Sequence, residues 1–335
     1  MSKGRRKRDR KKAPIEVITK KWPKKFLILF LVFVVTLVTA GLMILPKSAP
    51  TSVKIKDSSG DTLERLMEAE ENKPEVLATS PERSAEFIRK SEPALLELLN
   101  SRFYKPSQLY GDPRSLLKEY IKNGSLDKDL SICQENLQSS PNIRLTFIGQ
   151  AHIQPTDSGN VRGSEVTESQ AAIAEWVQKN KPQLIFTEGG NYTGEQVSWE
   201  LLWRQTNEVA ISLGLSPVPL KAFKRVASGD DWWFEPFLED EQIAIYGMDN
   251  QKIAVIVLAI FQISNQFSST PLYRYDKVYI NRVWREQVLL ANILATMKQI
   301  DKTEAVVVLG FAHQDSFKYL CEHYQVQVNN LSLKK

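Results

Sequence analysis

LTFIGQAH, residues 145–152, is an apolar run that ends in glycine, with a histidine three positions later. The same phrase returns as VVLGFAH, residues 307–313. The chain holds only three histidines, His152, His313 and His323, and two of them stand in G-x-A-H. Short apolar runs bounded by turn residues are strands, and a glycine at the end of one lets the backbone turn off it. The two phrases therefore predict two strands of one sheet, each delivering an imidazole to the same edge.

Outward from these phrases, short strands alternate with longer helical patterns. SEVTESQAAIAEWVQKNKP, residues 164–182, starts acidic, ends in lysines and stops at Pro182, as a helix does. QLIFTEGG (183–190) is a second strand, followed by helical stretches around residues 198–213 and near Ala222. QIAIYGMDN (242–250) is a third strand. IAVIVLAIFQI (253–263) is too short to span a bilayer and reads as a buried helix. Residues 275–300 form one long helix, EAVVVLGFAH (304–313) a fourth strand, and a helix from Gln314 leads to a last strand at 325–331. The alternation predicts an α/β domain over residues 143–332, with a mainly parallel central sheet flanked by helices. Residues 62–142 lack a convincing strand and carry apolar residues at helical spacing, so they form a helical preface.

Open parallel sheets bind ligands beyond the carboxyl ends of their strands. Four predicted strands end there with His152, Glu188, Asp249 and His313. Two imidazoles and a carboxylate converging on one edge suit a divalent metal, manganese, cobalt or zinc, on His152, Glu188 and His313, with a bound water as nucleophile. Without a metal, the same groups suit a histidine general base oriented by Glu188. The blander readings make Glu188 a helix cap and Asp249 the N-cap of the helix near Gln251. His323 lacks the phrase and receives no role. Trp232 and Trp233, in DDWWFEP (230–236), line a cleft or pack in a core or against a membrane. Cys133 and Cys321 have no metal-ligand spacing and are either a disulfide of an exported domain or two separate thiols.

The first 45 residues address a different question. Residues 1–25 hold twelve Lys or Arg against Asp9 and Glu16, which alone exceeds the net charge of +5, so the remainder is acidic. FLILFLVFVVTLVTAGLMIL, Phe26–Leu45, follows without a charge. A helix of that length covers about 30 Å, the hydrocarbon thickness of a bilayer. The pattern predicts an uncleaved signal-anchor, with the basic tail cytoplasmic and the rest outside. The lipid partner is met by residues 26–45, residues 46–61 form a stalk, and the neighbouring span makes the basic run a membrane feature rather than a nucleic-acid site. The expected setting is a bacterial inner membrane, with the domain facing the periplasm or the exterior. Asn123, Asn191 and Asn330 lie in N-x-S/T sequons that would accept glycans in a secretory lumen; Asn191, three residues after Glu188 and in a bacterial setting, is expected to be unmodified.

LTFIGQAHIQP, KPQLIFTEGG, REQVLLANIL and VVVLGFAH, in that order, resemble the TraB/TIKI and ChaN/erythromycin-esterase-like superfamily over about residues 143–332. The resemblance implies that His152 and His313 are the family's metal-binding or catalytic histidines, Glu188 its acidic residue, and Arg285-Glu286 its arginine-bearing pair. Glu286 stands where Asp or Asn is usual, and the second phrase continues Gln-Asp-Ser. Some members are membrane-tethered metalloproteases, some are esterases, and others bind haem. The resemblance thus implies a hydrolase of peptide, ester or lipid-like substrates, metal-dependent or metal-free, with a haem- or ligand-binding protein as the alternative. Arg285 would stabilise an oxyanion or clamp a substrate carboxylate; paired with Glu286 at the surface, it would do neither. Asp249 and Glu286 would back the ligands or carry protons.

Overall fold

The computed structural model describes residues 81–101, 112–128, 131, 135, 142–151, 163–188, 194–212, 214–227, 233–264 and 284–333. Two helices come first, α1 (Pro81–Asn100) and α2 (Pro113–Lys122). The α/β domain then runs β1 (Arg144–Gln150), α3 (Gly163–Asn180), β2 (Leu184–Thr187), α4 (Trp199–Ser212), α5 (Leu220–Ala227), β3 (Ala244–Gly247), α6 (Gln251–Ser264), α7 (Gln287–Gln299), β4 (Glu304–Gly310), α8 (Gln314–His323) and β5 (Gln327–Leu331).

The five strands form one sheet in the order β3-β2-β4-β1-β5, and every pairing is parallel. The mainly parallel sheet expected from the strand–helix alternation is there. Both faces of the sheet's centre are covered, which is why β2 and β4 read as continuous apolar runs, while the edge strand β5 is largely exposed. Side chains alternate across a strand, and β4 shows it. Ala305, Val307 and Leu309 pack with Leu289, Leu294, Phe317 and Leu320 of α7 and α8. Val306 and Val308 pack on the opposite face with Ile173 and Val177 of α3 and with Trp233 and Phe237.

This division of the helices positions the site. The chain steps from β1 to β2 to β3 in one direction across the sheet, then returns to β4 and β5. Right-handed crossovers place the connections of the two runs on opposite faces. Adjacent strands β2 and β4 therefore send their following chain to opposite sides, as do β1 and β4, and a crevice opens between their carboxyl ends.

The described parts of the preface are helical, and they are welded to the domain rather than hung beside it. Ile88, Leu95 and Leu99 of α1, Leu117 and Tyr120 of α2, Ile253, Ile256 and Ile260 of α6, and Trp284 and Val288 share one core cluster. α6 is the buried helix read from residues 253–263. Of the long helix expected over 275–300, residues 275–283 lie outside the described residues, as do the tail, the Phe26–Leu45 span, the stalk, Cys133, Asn191 and Trp232. No helix among the described residues is long and apolar enough to cross a membrane. Cys321 is buried under the sheet, and Trp233 is a core residue whose ring meets Phe234 edge-on.

Candidate active site

The carboxyl ends of β2, β3 and β4 converge on Arg285, which lies in a wide π turn, residues 284–286, just before α7. Its Nε donates to Asp249 Oδ1 at 3.0 Å, and its Nη2 donates to Asp249 Oδ2 at 2.9 Å and to Glu188 Oε1 at 2.7 Å. The three side chains are 16, 6 and 9% exposed. A planar fork gripping one carboxylate with two nitrogens suits arginine and not lysine. That fork is taken, so it does not clamp a substrate carboxylate as one sequence reading had it. Arg285 is equally not the surface arginine paired with Glu286.

Glu188 and Asp249 are held here rather than spent on capping. Glu188 follows β2, its backbone N–H donating to Val308 O, and its Oε2 accepts the Gly310 N–H at 2.7 Å. It thus ties the end of β2 to the end of β4. The cap of α6 is Asn250, whose Oδ1 accepts from Lys252 N at 3.0 Å and Ile253 N at 3.4 Å. Asp249 is thereby left for Arg285.

His313 closes a short 3-10 turn, Phe311–His313, that leads β4 into α8. Its Nδ1 is 2.7 Å from Glu286 Oε1, which also accepts the Ser316 hydroxyl at 2.7 Å. A carboxylate there requires the proton on Nδ1 and turns the bare Nε2 the other way. Nε2 faces Arg285 Nη1 at 3.5 Å and Glu188 Oε1 at 3.8 Å. The orienting carboxylate is therefore Glu286, not Glu188 as the sequence suggested; Glu188 stands at the working nitrogen. Burial alone acts to lower the Arg285 pKa, but the charges of Asp249 and then Glu188 outweigh it and raise the value above that of a free guanidinium.

The two G-x-A-H phrases differ in structure. β1 continues straight through Gly149 to Gln150, and neither Gly149 nor Gly310 has a positive φ. The chain does turn off β4 directly after Gly310, but neither glycine makes a turn that only glycine allows, and each serves another purpose. At Gly149 a Cβ would come within 2.3 Å of the Phe311 ring, so the missing side chain makes room for the aromatic of the other phrase. At Gly310 the backbone N–H serves Glu188. Gln150 sits where Phe311 does in its own phrase, and it is buried, with Gln170 Nε2 3.5 Å from its Oε1. Phe311 remains half-exposed beside His313. His152 lies outside the described residues.

Ser316 and Asn292 were missed by the sequence reading. Asn292 Nδ2 donates to Met248 O at 2.8 Å and steadies the end of β3. It falls two helical turns after Arg285, in the midst of the apolar run at residues 288–295, which was its available signal. Ser316 lies one turn after His313, a weaker one. His323 is exposed in the last turn of α8, its ring edge-on to Tyr324, away from the described site residues.

Among the described residues, no group of three His, Cys, Asp or Glu is arranged to hold a metal ion. The pair that can be tested, Glu188 and His313, does not fit a divalent cation in this arrangement. Both Glu188 oxygens have N–H partners, and a guanidinium cation already stands 3.5 Å from His313 Nε2, where it repels a second cation. Compared with protein-family models, curated proteins and solved structures, the chain matches none.

Proposed function

We propose that the chain is a membrane-anchored hydrolase of ester or peptide bonds, and that His313 is its general base. The observation that carries this reading is the Glu286–His313 pair, which aims a bare imidazole nitrogen at the crevice between β2 and β4 beside Arg285. The resemblance of the four sequence motifs to the TraB/TIKI and ChaN/erythromycin-esterase-like superfamily supports the same class. Phe26–Leu45 is then the anchor, and the domain works outside the cytoplasm.

In this mechanism His313 Nε2 takes a proton from water as its oxygen bonds to the carbonyl carbon. The carbonyl oxygen becomes an anion within reach of Arg285 Nη1, the guanidinium nitrogen that neither Asp249 nor Glu188 occupies. Glu286 stabilises the imidazolium. The proton then passes from Nε2 to the alkoxide or amine as the ester or amide bond breaks, leaving a carboxylic acid and an alcohol or amine.

The metal-dependent form of the reading, with manganese, cobalt or zinc on His152, Glu188 and His313, asks Glu188 to give up Arg285 and Gly310 for the ion. The close ionic pairing of Arg285 favours the metal-free form. The test is hydrolysis of chromogenic acyl esters and quenched fluorescent peptides by the full-length protein in detergent, beside H313Q and E286Q, with elemental analysis and an absorbance spectrum of each. A turnover that falls at least a hundredfold in H313Q, in metal-free wild type, is expected. Activity that follows a stoichiometric metal lost in H313Q would replace this mechanism with the metal-dependent one. A haem spectrum without turnover would replace hydrolysis with ligand binding.

A further inference from the structure

We propose that the helical preface belongs to the active site's scaffold, and that Ser84 and Gln287 are positioning residues for Arg285 and Glu286. Four consecutive residues, Trp284 to Gln287, divide between two jobs. Arg285 and Glu286 reach into the site. Trp284 and Gln287, on either side of them, are both fully buried and touch the preface instead. The Trp284 ring lies 5.4 Å from that of Tyr120 on α2, tilted by 50°. Gln287 Nε2 donates to Ser84 Oγ on α1 at 2.7 Å, and Ser84 is also fully buried.

The turn that holds these residues, 284–286, is π-helical. Such turns are rare, recur at functional sites, and persist only where their surroundings hold them. Its site-facing side is held by ionic contacts and its other side by the preface. The two preface contacts constrain differently. Aromatic packing between Trp284 and Tyr120 tolerates small rotations of the turn. The Ser84–Gln287 hydrogen bond does not, because a buried amide left without a partner is costly. Contacts of 2.7–3.0 Å from Arg285 and Glu286 to Glu188, Asp249 and His313 tolerate little misplacement in turn. One hydrogen bond from α1 thus sets the rotation at which both catalytic side chains are presented. This gives residues 81–128 a task beyond spacing the domain from the anchor.

The proposal rests on reading His313 and Arg285 as the working groups, but its test reads geometry, so the two can fail separately. The full-length protein in detergent, carrying labelled histidine and arginine, reports two protons by NMR. One is the downfield Nδ1–H of His313, assigned by its loss in H313Q from a spectrum of only three histidines. The other is the Nε–H of Arg285, assigned by its loss in R285K. Ser84→Ala removes the acceptor, and Gln287→Met keeps the length without the donor. Each is expected to broaden or shift the His313 proton and to speed exchange of the Arg285 proton roughly tenfold, as an unmade buried hydrogen bond eases local opening. The double variant Ser84→Ala/Gln287→Met removes both ends of this hydrogen bond. It is expected to recover melting temperature without recovering the two signals, and it serves if a single variant fails to fold. Folded variants, single or double, that keep both protons unchanged would overturn the proposal. So would a double variant that restores the signals along with the melting temperature.

Discussion

At Arg285, two acidic partners, Glu188 and Asp249, make one cation do the work of a strut. Its raised pKa means that the cation's contribution is fully present below the ordinary arginine value and is lost only above it. No working pH removes that contribution by deprotonating the arginine. Replacing it is another matter. Arg285→Met leaves Glu188 and Asp249 side by side, nearly buried and without their counter-charge. Breaking a buried pair in this way costs about 3–5 kcal/mol. Arg144–Glu304, which bridges β1 and β4 at the opposite edge, provides the contrast, with side chains 58 and 62% exposed. Arg144→Ala should cost less than about 1 kcal/mol. Urea unfolding of the full chain in mild detergent measures both. Similar losses for the two would mean that the site triad is solvated and contributes little. Sequence reading named Arg285, Glu188, Asp249 and His313 but misjudged who holds whom. Adjacent numbers such as Arg285-Glu286 suggest a pair, whereas a helical turn sends neighbouring side chains about 100° apart.

Among the elements, helix ends carry the testable chemistry. α2 is capped by Asp112, whose Oδ1 accepts from Arg114 N at 3.3 Å, and Pro113 fills the first turn. Partial burial opposes ionisation of Asp112, but hydrogen bonds from Arg114 and Ser115 outweigh it and hold the carboxyl below its usual range. A depressed acid contributes stability above its unfolded pKa and loses it as pH falls through the folded one. Asp112→Ala should therefore cost about 1 kcal/mol at neutral pH, and the deficit should shrink as the solution is acidified below the ordinary aspartate range. A deficit independent of pH would remove the charge from the explanation. At the other ends, α7 and α8 close through Asp301 and Gln325 at φ 54° and 60°. Lys302 N returns to Met297 O at 2.9 Å, and Val326 N to Cys321 O at 2.8 Å. Left-handed backbone is where glycine is preferred. Asp301→Gly and Gln325→Gly should each raise stability by about 0.5–1 kcal/mol, the relieved strain less the extra chain entropy. Unchanged or lowered melting temperatures would show that the native side chains compensate. β1, β2 and β4 were legible because both their faces are buried, which leaves short apolar runs bounded by turn residues. The glycines of G-x-A-H were legible as special and misread in purpose, because a ring from another strand leaves no trace in local sequence.

Across the whole molecule, parallel pairing and the crevice followed from the alternation of strands and helices. The strand order did not, since nothing local says that β4 inserts between β1 and β2. That insertion brings His313 beside Glu188, while His152 and the segment it begins are not among the described residues. The anchor proposed for Phe26–Leu45 raises the question of which side of a membrane the sheet would face. Twelve basic residues before Phe26 should keep the tail cytoplasmic, because lysine and arginine near a span resist translocation. Everything after Lys47 then lies outside, where the acidic remainder of the chain meets no such barrier. With one epitope at the N-terminus and another after Lys335, protease added to spheroplasts should remove the C-terminal epitope and leave a short protected fragment bearing the N-terminal one. Detergent should expose both. A C-terminal epitope that survives protease until detergent is added would put the domain inside. Replacing the seven Lys and Arg of RRKRDRKK with Gln, while leaving Lys20, Lys21, Lys24 and Lys25, separates two causes. If the juxtamembrane lysines set orientation, protection is unchanged. If the distal block does, the population becomes mixed, with both epitopes partly protected.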